Sequence, residues 1–285
     1  WFYSLLAMST VMEGKAPFKT LLGHALVKDE TGRDMHKSWG NAIWFEDAAE
    51  KMGVDVMRWL YTQQNPEHNL LFGYGIADEI RKNLITLWNT YSFFSTYASL
   101  DGYSPIEDKV TTSDLTQLDR WILAKSNELV KSARKHFDSY QIYKFMREAS
   151  EFLDDLSNWY VRRSRRRFWK SESDIDKSAA YFTLHKALLT YIKILAPIIP
   201  FISEKMYQNL VVKADENAPK SIHLTDYPVY DETLVDDELI QEVDTLIIAV
   251  GLGRSARNKA NLKIRQPLAE IVIFAPDHLS NVFIK

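Results

Sequence analysis

Cysteine is absent from this sequence of 285 residues. Its absence excludes a disulfide framework and any zinc site with thiolate ligands within these residues. No apolar run is long enough to span a membrane, and the aromatic residues at the start lack the basic flank of a signal peptide. The seven histidines show no spacing typical of a zinc enzyme, so we expect no metal site. Together these absences favour a cytoplasmic protein without membrane contacts.

Neither sign of charge is in large excess, with 35 Lys and Arg against 38 Asp and Glu and a net charge of −3. A protein that binds nucleic acid through its overall charge would be basic. The basic residues are instead concentrated locally, because five Arg and one Lys lie between Trp159 and Lys170 with no acidic residue among them. Such a patch can attract phosphates even on an acidic protein, since salt leaves only nearby charges effective.

Helical spacing of apolar residues dominates the chain and predicts a mainly α fold. The predicted helices span residues 2–12, 45–60, 78–100, 118–137, 141–169, 179–210 and 236–257. Pro197 and Pro200 should interrupt the sixth of these helices. Short connections between the long helices favour a helical bundle. Trp59, Trp88 and Trp121 fall on apolar stripes, so we expect them in the core.

Signals of β-structure are confined to the two ends of the chain. Residues 21–27 are a strand candidate followed by a turn, which predicts the tail of an α/β unit. Residues 264–274 predict the start of a small β-containing module. These features, with a linker that contains Gly and Pro at residues 101–113, divide the chain into four regions: 1–44, 45–112, 113–230 and 231–285.

A Lys37–Ser38 pair lies in the loop that follows the strand candidate. An ammonium and a hydroxyl can both donate hydrogen bonds to phosphate oxygens, and a cation stabilises the charge that develops as pyrophosphate leaves. The alternative is a polar surface loop in which Gly40 and Asn41 only form a turn. A Lys-Ser pair by itself is a weak motif, so its spacing alone favours the surface loop.

The wider run from Gly32 to Asn41 resembles the Lys-Met-Ser-Lys-Ser loop of class I aminoacyl-tRNA synthetases, including the Gly-Asn that follows it. Two positions differ, since Asp34 occupies the place of the first Lys of the motif and His36 that of its Ser. The resemblance implies a catalytic role for Lys37 on the phosphates of ATP. It also implies an ATP-binding set of four residues: Met35, His36, Lys37 and Ser38.

The run of cations from Arg162 to Arg167 is the second candidate site. On a helix these side chains would surround the helix end, and aromatic neighbours suit the stacking of unpaired bases. The alternative is a solvated helix C-terminus, where cations complement the helix dipole. That role accounts for two or three Arg but not for five. The predicted RNA contacts are Arg162, Arg163, Arg165, Arg166, Arg167 and Trp169.

Four blocks of the chain resemble isoleucyl-tRNA synthetases, a family of the Ile/Leu/Val/Met branch of class I. They lie, in the family's order, at residues 156–169, 195–204, 221–224 and 263–268. The last block adds Lys263 and Arg265 to the predicted tRNA contacts. The resemblance implies a helical-bundle anticodon-binding domain at residues 113–230. It further implies the tail of a Rossmann-like catalytic domain at residues 1–44, and helices that contact the tRNA stem at residues 45–112.

The family's reaction activates isoleucine with ATP and Mg and transfers it to tRNA(Ile), and we expect a monomer. Both ends of the chain look cut, so we interpret it as a piece of a longer protein, without the family's His-Ile-Gly-His motif or editing domain. Such a piece should bind the anticodon arm and should not activate an amino acid alone. Two alternatives remain. One is the same region of a valyl- or leucyl-tRNA synthetase, which residues 159–163 disfavour; the other is a non-enzymatic helical module whose Arg run binds an acidic protein.

Overall fold

The computed structural model describes residues 1–107, 109–170 and 173–274, and α-helices dominate it. Helices α1 to α10 span, in order, Phe2–Glu13, Phe45–Met52, Val54–Thr62, Tyr74–Asp101, Gln117–Asp138, Ile142–Asp154, Arg162–Trp169, Asp174–Leu195, Pro200–Tyr207 and Asp237–Lys259. Two π-helical segments, Asp155–Val161 and Gln208–Val212, extend α6 and α9. Two short strands are present, β1 at Val27–Asp29 and β2 at Leu70–Phe72. The predicted mainly α fold is confirmed.

Strands β1 and β2 pair in parallel, with Val27 opposite Leu70. Parallel neighbours need a crossover connection, which α2 and α3 provide, so residues 27–72 form a β–α–β unit. The strand predicted at residues 21–27 is wrong for all but its last residue. The amide of Ala25 donates instead to the carbonyl of Pro66 at 2.8 Å, which is a loop contact outside the ladder.

Two helical predictions need correction in the first half of the chain. The stripe predicted over residues 45–60 is divided between α2 and α3 at Gly53, whose φ of 88° is a left-handed value that favours glycine. Trp59 and Trp121 are fully buried as predicted, but Trp88 is 39% exposed. The buried face of α4 passes through Leu84, Leu87 and Tyr91, which leaves Trp88 at its rim.

The bundle is built around α5, which contacts α6, α8 and α10, while α8 also contacts α4, α7 and α9. The predicted proline interruption is confirmed, since α8 ends at Leu195 and α9 begins at Pro200.

No strand forms in the described residues after α10, which end at residue 274, so the β-structure predicted for residues 264–274 is wrong. Residues 275–285 of the predicted C-terminal module lie outside the described residues. No helix in the described part of the chain combines the length and apolarity that a bilayer span requires.

A buried ionic network joins the helices of the bundle at Asp119, whose side chain is 0% exposed. Both carboxylate oxygens accept hydrogen bonds from the Arg167 guanidinium, at 2.8 and 2.9 Å. The hydroxyl of Tyr160 donates to the same carboxylate at 2.7 Å, and the backbone amide of Thr116 at 2.9 Å. Arg167 also pairs with Asp176 at 2.8 Å. The network therefore ties α5, the first π-helical segment, α7 and α8 together.

Removal of the buried carboxylate should reveal how much this network contributes. We expect Asp119→Ala to lower the free energy of unfolding by about 3–5 kcal/mol, because the Arg167 charge would remain buried without its main partner. The matched control is Arg147→Ala, since Arg147 pairs with Glu151 on the surface, where both side chains are more than two-thirds exposed. That pair should contribute less than about 1 kcal/mol. Urea unfolding followed by circular dichroism compares the two, and equal losses would contradict the assignment.

Candidate nucleotide loop and nucleic-acid interface

The loop from Asp29 to Asn41 is closed by side-chain hydrogen bonds. The amide of Asn41 donates to the Asp29 carboxylate at 2.9 Å and to the backbone carbonyl of Asp34 at 2.8 Å. In the other direction, the backbone amide of His36 donates to the side-chain oxygen of Asn41 at 3.0 Å. Hydrogen bonds from Asn41, then from Thr31 and the Arg33 amide, hold the pKa of Asp29 far below its usual range. The loop thus has a defined shape around a permanently charged carboxylate.

Lys37 opens a short 3-10 turn, Lys37–Trp39, which Gly40 ends with a φ of 72°. The Lys37 ammonium lies 4.4 Å from the centroid of the Trp44 ring, a cation–π contact that leaves its donors available. His36, Lys37 and Ser38 are exposed, and Met35 is half-buried. Of the predicted ATP-binding residues, Lys37 and Ser38 therefore lie on the exposed turn, and Met35 and His36 directly precede it.

Asp34 occupies the position of the first Lys of the Lys-Met-Ser-Lys-Ser motif, so the charge at this position is reversed. Its carboxylate pairs with the Lys28 ammonium at 2.5 Å. This hydrogen bond and the charge of Lys28 lower the pKa of Asp34. The negative charge of Asp34 next to the turn is therefore balanced by Lys28 of β1.

The loop is seated on the N-terminus of α4 through Glu30. The Glu30 carboxylate accepts a hydrogen bond from the backbone amide of Gly75 at 3.0 Å, where an anion complements the helix dipole. The contact requires a residue without a side chain at Gly73, because a Cβ there would clash with the carboxylate of Glu30. The carboxylate of Glu30 thereby links the candidate nucleotide loop, residues 29–41, to α4, the longest helix in the described residues.

The Arg-rich helix α7 owes its orientation to the π-helical segment before it. The buried face of α6 passes through Phe152 and Leu156, and at about 3.6 residues per turn it would continue to Arg163 and Lys170. The buried residues of α7 are instead Ser164 and Phe168. The wider turns of the π-helix delay the buried face by about one residue. This delay keeps Arg163 out of the core.

The exposed cations of α7 form two surfaces. The first, termed the α4-side surface, consists of Arg162, Arg165 and Trp169, which are three or four residues apart and so lie along one face. Arg165 lies 5.8 Å from the centroid of the Phe93 ring, and the Trp169 ring is 6.1 Å from that of Tyr97. Trp169 is 56% exposed, so Tyr97 supports one part of a ring whose remainder faces solvent.

The second surface, termed the Trp159 surface, consists of Trp159, Arg163 and Arg166. The guanidinium of Arg163 is stacked over the Trp159 ring, 4.0 Å from its centroid. Arg163 and Arg166 are exposed, and Trp159 is half-buried. A stacked guanidinium loses little of its hydrogen-bonding capacity, so this surface presents a flat platform with outward-facing donors.

Arg167 differs from the other arginines of the run. Its side chain is 15% exposed and is engaged by Asp119 and Asp176. Burial favours its neutral form, but the hydrogen bonds and charge of Asp119 outweigh burial and raise its pKa. Arg167 therefore departs from the predicted ring of exposed arginines at the helix end, because its donors are used within the bundle.

Lys263 and Arg265 are exposed in the segment that follows α10. The Arg257 guanidinium holds this segment by donating to the carbonyls of Lys263 at 3.0 Å and Gln266 at 2.7 Å. In the described residues, no hydrogen bond or ring contact joins Lys263 or Arg265 to α7. Sequence reasoning placed Phe93 and Tyr97 on a helix of the predicted stem-contact region but did not pair them with α7, because that pairing is a tertiary feature without a local signal.

Two family models match the chain. Residues 119–273 match the family described as the anticodon-binding domain of tRNA ligase, which is more than half of the chain. Residues 1–70 match the family described as tRNA synthetases class I (I, L, M and V). The two matches contain α7 and the nucleotide loop, respectively.

The curated relatives include the isoleucine–tRNA ligase of Dehalococcoides mccartyi (strain CBDB1), which is 46% identical over 275 residues. This match covers 95% of the present chain and 27% of the relative. The isoleucine–tRNA ligase of Clostridium novyi (strain NT) is 44% identical over 289 residues, covering 99% of this chain and 28% of the relative. The chain thus spans about a quarter of the length of these relatives.

Solved structures with a similar fold include the LeuRS–tRNA–LeuAMS ternary complex of Agrobacterium radiobacter K84. It has a TM-score of 0.61 at 14% identity, and the match covers 82% of this chain and 28% of that one. Methionyl-tRNA synthetase of Mycobacterium tuberculosis, in complex with methionyl-adenylate, has a TM-score of 0.55 at 20% identity, with 71% and 43% coverage. At these identities the likeness concerns the fold alone.

The π-helical segment can be tested by deletion. Asn158 is exposed in this segment, and its removal should convert the wide turns into a regular α-helix without rotating α7. We expect this deletion to retain cooperative unfolding and to cost no more than about 1 kcal/mol. Deletion of the exposed Glu151, within the regular helix α6, should instead rotate Phe152 out of the core by about 100°. Thermal melts compare the two proteins, and an equally severe loss from the Asn158 deletion would contradict the register assignment.

Proposed function

This chain belongs to the isoleucine–tRNA ligase family of class I tRNA synthetases, and on that premise we propose that it binds tRNA in an enzyme that activates isoleucine with ATP and transfers it to tRNA(Ile). The observation that carries the proposal is the pair of exposed cation–aromatic surfaces on α7, within the matched anticodon-binding domain. The relatives support this reading over the valyl, leucyl and non-enzymatic alternatives. The proposed enzyme is a cytoplasmic monomer.

The anticodon arm of tRNA is the proposed ligand of α7. Arginine donors would hold phosphates, while unpaired bases would stack on Trp169 and on the Arg163 platform. The proposed contacts exclude Arg167 and comprise Arg162, Arg163, Arg165, Arg166, Trp169, Lys263 and Arg265.

The nucleotide loop is the proposed site of contact with the ATP phosphates. Its donor set fits a polyanion, because the Lys37 ammonium and the Ser38 hydroxyl are exposed and Lys28 balances the charge of Asp34. His36 adds a ring that can donate a hydrogen bond, and Met35 next to it is half-buried. Bound ATP, with Mg²⁺, would supply the phosphate that the amino-acid carboxylate attacks and the pyrophosphate that leaves. Lys37 would stabilise negative charge at the leaving phosphates.

We expect Lys37→Ala, made in the full-length enzyme, to lower kcat for isoleucine-dependent ATP–pyrophosphate exchange by roughly 100-fold or more, because a preorganised donor at a developing charge is removed. The KM for isoleucine should change little, since the interaction grows toward the transition state. The control is Lys19→Ala, an exposed lysine outside the loop. If the exchange kinetics of the Lys37 variant are unchanged, Lys37 has no role in activation and the proposed ATP contact of this loop is wrong.

The phosphate contacts predict a salt dependence. Affinity for tRNA should fall steeply with salt, and replacing Arg163 and Arg166 by Ala should flatten that dependence by roughly one unit of slope for each phosphate that is no longer neutralised. The matched control replaces Lys144 and Arg147, two exposed cations of α6, by Ala. Filter binding at several salt concentrations separates a local effect from the loss of net charge. Equal slopes for the two double variants would contradict the assignment.

Base stacking predicts a different signature at Trp169. Trp169→Ala should weaken tRNA binding by about 1–3 kcal/mol with little change in salt slope, because stacking releases few counterions. Trp88→Ala is the matched control, since Trp88 is 39% exposed and its ring packs against Tyr91 of its own helix. The same titrations serve here, and thermal melts exclude unfolding. An affinity equal to that of the control would remove Trp169 from the interface.

A further inference from the structure

The proline break between α8 and α9 is filled by two side chains of α3, Asp55 and Arg58. The break exposes backbone groups at two helix ends, because residues around it cannot continue the α-helical ladder. The Arg58 guanidinium donates from Nε to the carbonyl of Ile198 at 2.8 Å and from Nη2 to that of Pro197 at 2.7 Å. These carbonyls follow the end of α8, where a cation complements the helix dipole.

Asp55 serves the other side of the same break. Its carboxylate accepts hydrogen bonds from the backbone amides of Phe201 at 3.3 Å and Ile202 at 2.7 Å. Pro200 has no amide hydrogen, so these are the first two donors that α9 offers. The residue that precedes α9 does not cap the helix with its own side chain. The carboxylate of Asp55, from α3, provides this cap instead.

The two residues are one turn apart on α3, which belongs to the β–α–β unit that also carries the nucleotide loop. Their partners are 139–147 residues away, in the bundle that carries α7. Arg58 thus binds the end of α8 and Asp55 binds the start of α9, with two hydrogen bonds each. These four hydrogen bonds allow little rotation of α3 relative to the junction of α8 and α9.

We propose that Asp55 and Arg58 are positioning residues for aminoacylation, which fix the orientation of the anticodon-binding bundle relative to the catalytic part. The inference rests on the proposed function. Asp55 and Arg58 use their side chains on the backbone of residues 197–202, and they would act by determining where a tRNA held on α7 delivers its acceptor end. Its loss should therefore affect transfer to tRNA and spare activation of the amino acid, which needs no tRNA.

The test uses the full-length enzyme with Arg58→Met, which retains a long helix-favouring side chain without the donors. The control is Arg134→Met, because the Nε and Nη2 of Arg134 also donate to a backbone carbonyl, that of Pro228, at 3.1 and 2.9 Å, but within the bundle. Three quantities are measured: isoleucine-dependent ATP–pyrophosphate exchange, kcat/KM for aminoacylation of tRNA, and the Kd for an RNA hairpin of the anticodon arm.

We expect Arg58→Met to lower kcat/KM for aminoacylation at least about tenfold, since a displacement of roughly 1 Å at a reacting group can cost about 100-fold. Exchange and hairpin Kd should stay within about twofold of wild type, and Arg134→Met should leave the ratio of aminoacylation to exchange unchanged. Arg58→Lys should recover part of the loss, and Asp55→Asn, with one acceptor oxygen in place of two, should show an intermediate loss.

A parallel fall in exchange and aminoacylation, or equal behaviour of Arg58→Met and Arg134→Met, would overturn the positioning role. If Arg58→Met does not fold, the same comparison is made with Arg58→Lys and Asp55→Asn. Failure of the wild-type enzyme to bind the hairpin would instead refute the proposed function of α7. The two hypotheses therefore fail through different measurements.

Discussion

The pairing of Asp119 with Arg167 is the interaction on which the bundle's arrangement depends. A fully buried carboxylate is stable only when its acceptor sites are occupied, and here Arg167, Tyr160 and Thr116 occupy them. These partners lie at the start of α5, in the first π-helical segment and on α7, and Arg167 also pairs with Asp176 of α8, so the network restrains how these helices pack. The same interaction removes one arginine from the surface and holds its neighbours in place.

Local sequence patterns predicted the features that depend on local physics. The apolar spacing along α4 and α5 and the two prolines after Leu195 specify helices and a break through backbone geometry alone. The three-residue strand β2 could not be predicted, because it exists only through its pairing with β1. Likewise, nothing local distinguishes Arg166 from Arg167; a carboxylate 48 residues away decides between surface and interior.

The candidate site likewise contains residues that the sequence predicted and contacts that only the structure shows. The candidate residues 35–38 and the cations of α7 were predicted from residue type and resemblance, and the structure leaves His36, Lys37 and Ser38 exposed, as it does the cations of α7 other than Arg167. The support of Trp169 by Tyr97 and the balance of Asp34 by Lys28 required coordinates. A π-helical segment has no established residue signature, so the register that exposes Arg163 also escaped prediction.

Because Glu30 binds the start of α4, this helix sets the distance between the loop of Lys37 and the surface that contains Trp169. One end carries the loop of Lys37, and Tyr97 near the other end supports Trp169. From Tyr74 to Tyr97 the helix extends about 35 Å at about 1.5 Å per residue. A single inserted residue would lengthen this span by only about 1.5 Å but would turn one end by about 100° relative to the other. The number of residues in α4 therefore sets the rotation of Tyr97 relative to the loop that Glu30 holds.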